Sequence, residues 1–235
     1  MLIFDDVTGG YGTRKVLTSV SFVLERGERV ALVGPSGAGK STIFRMSYGA
    51  FAPTSGRVLV DGNDLATLHG ARLRAMRARI AVVFQAHGLV DQLSVMQNVI
   101  AGTFGRRSTA GALRAVLAPR AAEREMALAA LERVGLADRI ASPAFELSGG
   151  QRQRVAIARA IAQRAELVLA DEPAASLDPE LGSEIVNMLL ADAKSRGATL
   201  LCSLHQPELA RRFDRTIRVG GGVVVPEEPL ASSGL

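Results

Sequence analysis

The stretch 34–41 has the composition of a loop that binds phosphate. Its residues are Gly34, Pro35, Ser36, Gly37, Ala38, Gly39, Lys40 and Ser41. Glycines allow backbone N–H groups to converge on phosphate oxygens, and the N-terminus of a following helix adds positive potential. In this pattern the lysine holds the β- and γ-phosphates, while the serine hydroxyl coordinates Mg²⁺. Together with Thr42, these residues predict a loop that wraps the phosphate chain of a nucleoside triphosphate.

Two adjacent carboxylates, Asp171 and Glu172, follow the apolar run 167–170. Ligands of open α/β sheets bind at the ends of such strands. Asp171 can hold Mg²⁺ through water, and Glu172 can polarise the water that attacks the γ-phosphate. Two adjacent acids seen alone would indicate a solvated turn. The phosphate loop upstream favours the catalytic interpretation.

A second candidate anion site precedes a helix rich in arginine and alanine. It consists of Leu147, Ser148, Gly149, Gly150 and Gln151. A serine followed by two glycines at a helix start offers an N-cap and free N–H groups to an anion. One chain has no obvious use for two phosphate sites on one nucleotide. A head-to-tail pair of chains does, if each chain contributes one site to each nucleotide.

The string 147–151 resembles the signature motif of ATP-binding-cassette (ABC) ATPases, and other short motifs follow that family's order. Gln85 resembles the Q-loop glutamine, which senses Mg²⁺ and the transporter, and Ser176-Leu177-Asp178 resembles the D-loop, which crosses the dimer interface. His205 resembles the switch histidine that contacts the γ-phosphate, and Tyr11 lies where the family stacks an aromatic ring on adenine. The resemblance covers nearly the whole chain.

The resemblance implies an ATPase that uses ATP and Mg²⁺ and works as a transporter motor. The catalytic residues it implies are Lys40, Gln85, Glu172 and His205, and the residues it places near the metal are Ser41, Gln85 and Asp171. The nucleotide-contacting set is Tyr11, the loop 34–42, Ser148, Gly149, Gly150, Gln151 and Asp178. The implied partners are a second copy in an ATP-sandwich dimer, transmembrane permease subunits and, indirectly, a periplasmic substrate-binding protein.

The segments 84–90, 93–95, 98–102, 171–179 and 203–210 are most similar to the phosphonate importer ATPases, although Ala86 and Ala174 depart from that group's pattern. Import of amino acids, export of lipid or lipoprotein, and a nucleic-acid-associated ABC ATPase are the alternatives. The arginines at 72, 74, 77 and 79 could form a nucleic-acid patch, but their spacing suits a solvated helix face or a contact with an acidic partner. We favour the solvated face and expect no nucleic-acid partner. ABC ATPases of DNA repair and chromosome organisation insert a long coiled coil between the phosphate loop and the signature, and this chain lacks sustained heptads there.

The elements that must position these residues alternate between strand and helix. Apolar runs predict strands at 20–24, 29–33, 57–60, 80–84, 167–170, 199–204 and 216–219, and helices at 41–47 and 179–196. This alternation predicts an α/β fold with a mostly parallel sheet covered on both faces. The family resemblance adds a P-loop NTPase core, an N-terminal antiparallel β subdomain and an inserted α-helical subdomain. We expect one domain, with the core at about 1–93 and 162–235 and the helical subdomain at about 94–161.

The composition is that of a globular protein with a net charge of +5, 48% hydrophobic residues and a single cysteine, Cys202. The N-terminus meets carboxylates at Asp5 and Asp6 and lacks the pattern of a signal peptide. We therefore expect the protein to serve the cytoplasmic face of the inner membrane by docking onto permease subunits. The expected docking surface is 85–93, whose apolar members are Leu89, Val90 and Leu93. The last residues, 226–235, read as a frayed tail.

Overall fold

The computed structural model describes residues 1–175 and 177–225, and its strands form two sheets. The strands are β1 (Leu2–Tyr11), β2 (Arg14–Leu24), β3 (Arg29–Val33), β4 (Ser55–Val60), β5 (Asn63–Asp64), β6 (Ile80–Val83), β7 (Leu167–Ala170), β8 (Thr199–Leu204), β9 (Arg215–Gly220) and β10 (Val223–Val225). The α-helices are α1 (Lys40–Ser47), α2 (Gly70–Arg77), α3 (Val95–Ala101), α4 (Thr109–Leu117), α5 (Ala121–Glu132), α6 (Gly149–Gln163), α7 (Pro179–Arg196) and α8 (Pro207–Ala210). Among these described residues, no helix combines the length and the apolar character needed to cross a membrane.

The larger sheet has the strand order β10-β9-β3-β8-β7-β6. All neighbours in it are parallel except β10, which pairs antiparallel with β9. The smaller sheet, β2-β1-β4-β5, is antiparallel throughout. The predicted α/β class, the mostly parallel sheet and the N-terminal antiparallel β subdomain are therefore confirmed.

The larger sheet separates two apolar cores. Along β3, Val30 and Leu32 face one core while Ala31 faces the other. Strands that are buried on both faces read as continuous apolar runs rather than as alternating ones. This is why β3, β7 and β8 were predictable from the sequence with bounds that match the structure.

The N-terminal strands are much longer than predicted. The pattern of apolar residues indicated only a strand at 20–24, whereas β1 and β2 pair along 10 and 11 residues. Register shifts interrupt this pairing, and Asp6 and Ser19 adopt positive φ angles of 50° and 51°. Bulges of this kind break the alternation of apolar and polar residues on which strand prediction depends. The short elements β5, β10, α2 and α8 were not predicted as separate elements.

Helices α3, α4, α5 and α6 lie between Val95 and Gln163, as the predicted helical segment 94–161 requires. Helix α6 packs against both α3 and α5, and these contacts bury an alanine-rich and valine-rich face. The division of the chain into a nucleotide-binding core and a helical subdomain stays a prediction.

The arginines at 74, 77 and 79 are bonded within the chain. Arg74 donates to the carbonyl oxygens of Gly105 and Arg107, and Arg77 donates to those of Tyr48 and Gly49. Arg79 forms ion pairs with Asp61 and Glu166. These guanidinium groups join elements of the fold. Arg74 and Arg77 are nevertheless exposed on α2, as a solvated helix face requires, whereas Arg79 follows the helix and is half-buried. Arg72 is exposed, as expected.

Candidate functional site

The phosphate loop connects β3 to α1 in a conformation that its glycines make possible. Gly39 has a φ of 107°, a left-handed conformation that side chains disfavour, and a Cβ there would lie 2.5 Å from Leu17. At Gly34 a Cβ would lie 2.1 Å from the carbonyl oxygen of Val219. Gly39 is the N-cap residue of α1 and has no side chain that could accept a hydrogen bond from the first turn of the helix. The first N–H groups of the helix therefore remain suited to an anion.

Lys40, the first residue of α1, is only 4% exposed. Its ammonium donates to the carbonyl oxygens of Gly34, at 2.8 Å, and Pro35, at 3.3 Å. It also lies 3.5 Å from Oε1 of Glu172. The cation is thus held against the loop and faces the end of β7.

Glu172 follows β7 with a φ of 49°, which is unusual for a residue other than glycine. Its Oε1 atom lies 2.6 Å from Nε2 of His205, which follows β8. Of the predicted catalytic residues, Glu172 is therefore in contact with both Lys40 and His205. The donor and acceptor roles in this contact depend on which ring nitrogen of His205 carries the proton.

Asp171 also lies at the end of β7, and burial raises the pKa of its carboxyl above the ordinary value. Hydrogen bonds from the hydroxyls of Ser203 and Ser41, and the charge of Lys40, act in the opposite direction. A divalent cation beside this carboxylate would also favour its ionised form. The contact with Ser41 joins two of the residues that were predicted to lie near a metal.

A cleft of about 510 Å³ brings all three predicted metal-site residues together. Ser41, Gln85 and Asp171 line it, together with Arg45 and Tyr48 among others. Their side chains offer a hydroxyl, a carboxamide and a carboxylate oxygen. Hard oxygen donors of this kind, few in number and open to a substrate phosphate, fit Mg²⁺.

Tyr11 lies at the end of β1 and is 45% exposed. Its hydroxyl accepts a hydrogen bond from Nη1 of Arg45, at 3.0 Å, and its ring centroid lies 5.2 Å from that of Phe51. Because Arg45 also lines the cleft, it connects the predicted adenine-stacking ring to the predicted metal site. Sequence analysis did not single out Arg45 or Phe51.

The signature residues form the N-terminus of α6. Ser148 caps the helix: its Oγ accepts from the backbone N–H of Gln151, and Oε1 of Gln151 accepts from the N–H of Ser148. Ser148 and Gly149 are exposed, whereas a Cβ at Gly150 would lie 2.4 Å from Leu181. No hydrogen bond or ion pair of the described residues joins 147–151 to the phosphate loop.

Asp178 is the N-cap of α7, and its Oδ1 accepts from the N–H of Leu181 at 3.0 Å. It is exposed and is followed by Pro179, which favours the first turn of a helix. Its side chain thus has a structural role besides the predicted one at a nucleotide. Ser176, the first residue of the predicted D-loop, lies outside the described residues, as does the predicted tail 226–235.

The segment 84–93, which follows β6, is fastened to two helices. Arg159 of α6 donates to the carbonyl oxygen of His87 at 2.8 Å and to that of Gly88 at 2.5 Å. The side-chain amide of Asn98, on α3, bonds with both the N–H and the carbonyl oxygen of Val90, at 2.8 and 3.0 Å. The backbone of the segment is therefore held by groups far away in the sequence.

The apolar side chains of this segment are less exposed than predicted. Val90 is 50% exposed, but Leu89 packs against the core and Leu93 is half-buried. The expectation that all three face solvent is correct only for Val90. A sequence cannot distinguish these cases, because it does not reveal which side of an irregular segment meets the helices.

Comparison with known proteins places these motifs in a family. Residues 17–175 match the family model described as ABC transporter. A phosphonates import ATP-binding protein from Frankia casuarinae is 48% identical over 94% of this chain and 87% of that protein. One from Rhodopseudomonas palustris is 41% identical over 96% of this chain and 83% of that protein.

Solved structures agree with this result. The dimeric ATP-binding cassette MJ0796, in a post-hydrolysis state bound to ADP and Pi, is 33% identical, and the match covers 97% of this chain and 98% of that chain. Its TM-score is 0.84. The chain therefore belongs to the ATP-binding proteins of the ABC transporter family.

Proposed function

We propose that this chain is the ATP-hydrolysing motor subunit of a phosphonate importer. The proposal that the chain hydrolyses ATP rests on the contact of Glu172 with both Lys40 and His205, at the carboxyl ends of the parallel strands. The phosphonate cargo is supported by relatives at 48% and 41% identity, which are phosphonates import ATP-binding proteins. The subunit acts by coupling ATP binding and hydrolysis to the movement of its transporter.

In this proposal each residue of the site has a defined role. Lys40 balances the charge of the β- and γ-phosphates, Glu172 polarises the attacking water, and His205 holds the γ-phosphate and the Glu172 carboxylate. Ser41, Gln85 and Asp171 hold Mg²⁺, which when bound neutralises charge on the phosphate oxygens. Tyr11 stacks on the adenine ring.

A second copy of the chain completes each site. The exposed position of Ser148 and Gly149 at the start of α6 suits a γ-phosphate held by the partner's phosphate loop. Asp178 and its neighbours cross the same interface. The segment 85–93 docks onto a permease subunit at the cytoplasmic face of the inner membrane, and a periplasmic binding protein delivers the cargo to that permease.

Lys40→Ala tests the phosphate loop. Losing a charge-assisted hydrogen bond to phosphate weakens binding by about 1.5–3 kcal/mol, and turnover depends on it still more. We expect weaker ATP binding and no measurable hydrolysis by the purified variant. Lys194→Ala, at the exposed end of α7, is the matched control and should hydrolyse ATP at the parent rate. Hydrolysis by Lys40→Ala at the parent rate would contradict the assignment.

The cargo is tested separately, by growth. Loss of the gene should prevent growth on an organophosphonate as the sole phosphorus source while leaving growth on inorganic phosphate intact. Unimpaired growth on the organophosphonate would remove the phosphonate assignment and leave the ATPase unaffected.

A further inference from the structure

A buried serine joins the two carboxylates of the site. Ser203, on β8, is completely shielded from solvent. Its Oγ lies 2.7 Å from the backbone nitrogen of Glu172 and 2.9 Å from Oδ1 of Asp171. Ser203 begins the segment 203–210, but no motif predicted a role for it at the site, because the contact depends on the pairing of β7 with β8.

The direction of both hydrogen bonds is fixed by chemistry. The backbone N–H of Glu172 can only donate, so the Ser203 oxygen accepts there. A serine hydroxyl carries a single hydrogen. That hydrogen is then available for Asp171, whose carboxylate accepts it. One side chain thus receives a bond from the residue that polarises water and gives one to the residue that holds the metal.

This bridge acts at a point of backbone strain. The left-handed φ of 49° at Glu172 is disfavoured for a residue with a side chain. The bond from its N–H to Ser203 helps to hold that conformation, which in turn directs the carboxylate toward His205. Since His205 lies two residues after Ser203, the same strand end positions both partners of the 2.6 Å contact.

We propose that Ser203 is a positioning residue for ATP hydrolysis, which fixes the Asp171 carboxylate for Mg²⁺ and the Glu172 carboxylate for water. This inference rests on the proposed roles of those two carboxylates. Ser203 is fully buried and acts through its hydrogen bonds to these two residues. Outer-shell partners of this kind change metal affinity or activity by about 10–100-fold when they are removed.

Ser203→Ala is the first test. We expect kcat to fall about 10–100-fold and the Mg²⁺ concentration for half-maximal rate to rise, while the KM for ATP changes little. The KM for ATP should change little because the substitution leaves the phosphate loop and Tyr11 unaltered. Ser203→Thr, which keeps the hydroxyl, should restore both the rate and the Mg²⁺ dependence.

Thr199→Val is the matched control, because it removes a similar bridge from the opposite end of the same strand. The buried hydroxyl of Thr199 accepts from the N–H of Gly27 at 3.0 Å and donates to the carbonyl oxygen of Glu25 at 3.4 Å. This variant should resemble Ser203→Ala in thermal stability but keep the parent's kcat and Mg²⁺ dependence. Equal loss of kcat in both variants would overturn the inference.

A second pair covers the case in which Ser203→Ala does not fold. The threonine of Ser203→Thr and the valine of Ser203→Val have nearly the same shape, but only threonine has a hydroxyl. We therefore expect Ser203→Val to lose activity and Ser203→Thr to keep it. Equal rates and Mg²⁺ dependence in this pair would overturn the role of Ser203 while the proposed function stands. Parent-rate hydrolysis by Glu172→Gln would instead overturn the proposed site, and the inference with it.

Discussion

The Nε2 atom of His205 lies 2.6 Å from Oε1 of Glu172, and the same carboxylate oxygen lies 3.5 Å from the ammonium of Lys40. The three residues follow β8, β7 and the loop after β3, whose strands are neighbours in the sheet. The carboxyl ends of such strands are where open α/β sheets bind ligands. A carboxylate oxygen held between an imidazole and an ammonium group keeps one direction, so the geometry orients Glu172 toward the two groups that are proposed to contact a γ-phosphate.

Glu172→Gln should separate ATP binding from ATP hydrolysis. The amide retains the size of the side chain but cannot act as a base, so turnover should be about 10²–10⁴ times slower. ATP binding should be normal, and the variant should accumulate as an ATP-bound dimer, measurable by light scattering with saturating MgATP. Glu125→Gln, on the exposed face of α5, is the control and should behave as the parent. A Glu172→Gln variant that stays monomeric would contradict the sandwich arrangement.

The motifs of the site were predictable because each is local. The phosphate loop needs only a strand, glycines and a helix in sequence, and Asp171 and Glu172 need only the buried run before them. What could not be predicted depends on strand register and helix packing. Ser203 meets the two carboxylates because β8 pairs with β7, and Arg159 reaches His87 because α6 lies against the segment 84–93. Neither contact leaves a periodic signal in the sequence.

Ser148→Arg should block hydrolysis while leaving ATP binding to the isolated monomer nearly intact. In the proposed dimer, the bulky cation would fill the position offered to the partner's γ-phosphate. Binding to the monomer can be measured by fluorescence titration at low protein concentration, and hydrolysis by phosphate release. Ser108→Arg is the matched control, since Ser108 is also an exposed serine N-cap, at the start of α4. Equal loss of monomer binding in Ser148→Arg would mean that the signature serves the chain's own nucleotide.

Glu123 should make the stability of the protein depend on pH in acid. The side chain of Arg114 donates to its carboxylate, the N–H of Arg120 adds a bond at 2.7 Å, and Arg107 forms an ion pair with it. Led by Arg114, these contacts lower the pKa of Glu123 from 4.5 to about 2. A carboxyl whose pKa is depressed on folding stabilises the protein fully above its unfolded pKa.

The free energy of unfolding should therefore fall as the pH drops from about 4.5 toward about 2, because Glu123 is protonated more readily in the unfolded chain. Glu123→Gln removes this contribution. Its free energy of unfolding should be lower than the parent's at neutral pH and should depend less on pH in that window. Urea unfolding at a series of pH values measures both. Parallel curves for parent and variant below pH 4.5 would contradict the prediction.

Val90→Asp should uncouple the ATPase from its transporter. The backbone of Val90 is held by Asn98 while its side chain is half exposed, so a substitution there changes the surface more than the fold. Leu89 is left unchanged because it packs against the core. Burying a valine side chain contributes about 1.5–3 kcal/mol, and a charge in its place should weaken permease binding by about 10–100-fold.

We expect Val90→Asp to keep the basal ATP hydrolysis of the purified subunit, to lose co-purification with the permease, and to fail in growth on an organophosphonate. Val223→Asp, at a 40% exposed valine of β10, is the matched control and should preserve all three properties. Because both variants add one carboxylate to an exposed valine, a difference between them reports the position rather than the charge. Normal growth and permease binding by Val90→Asp, in a strain where loss of the gene abolishes growth, would contradict the assignment of the segment 85–93 as the docking surface.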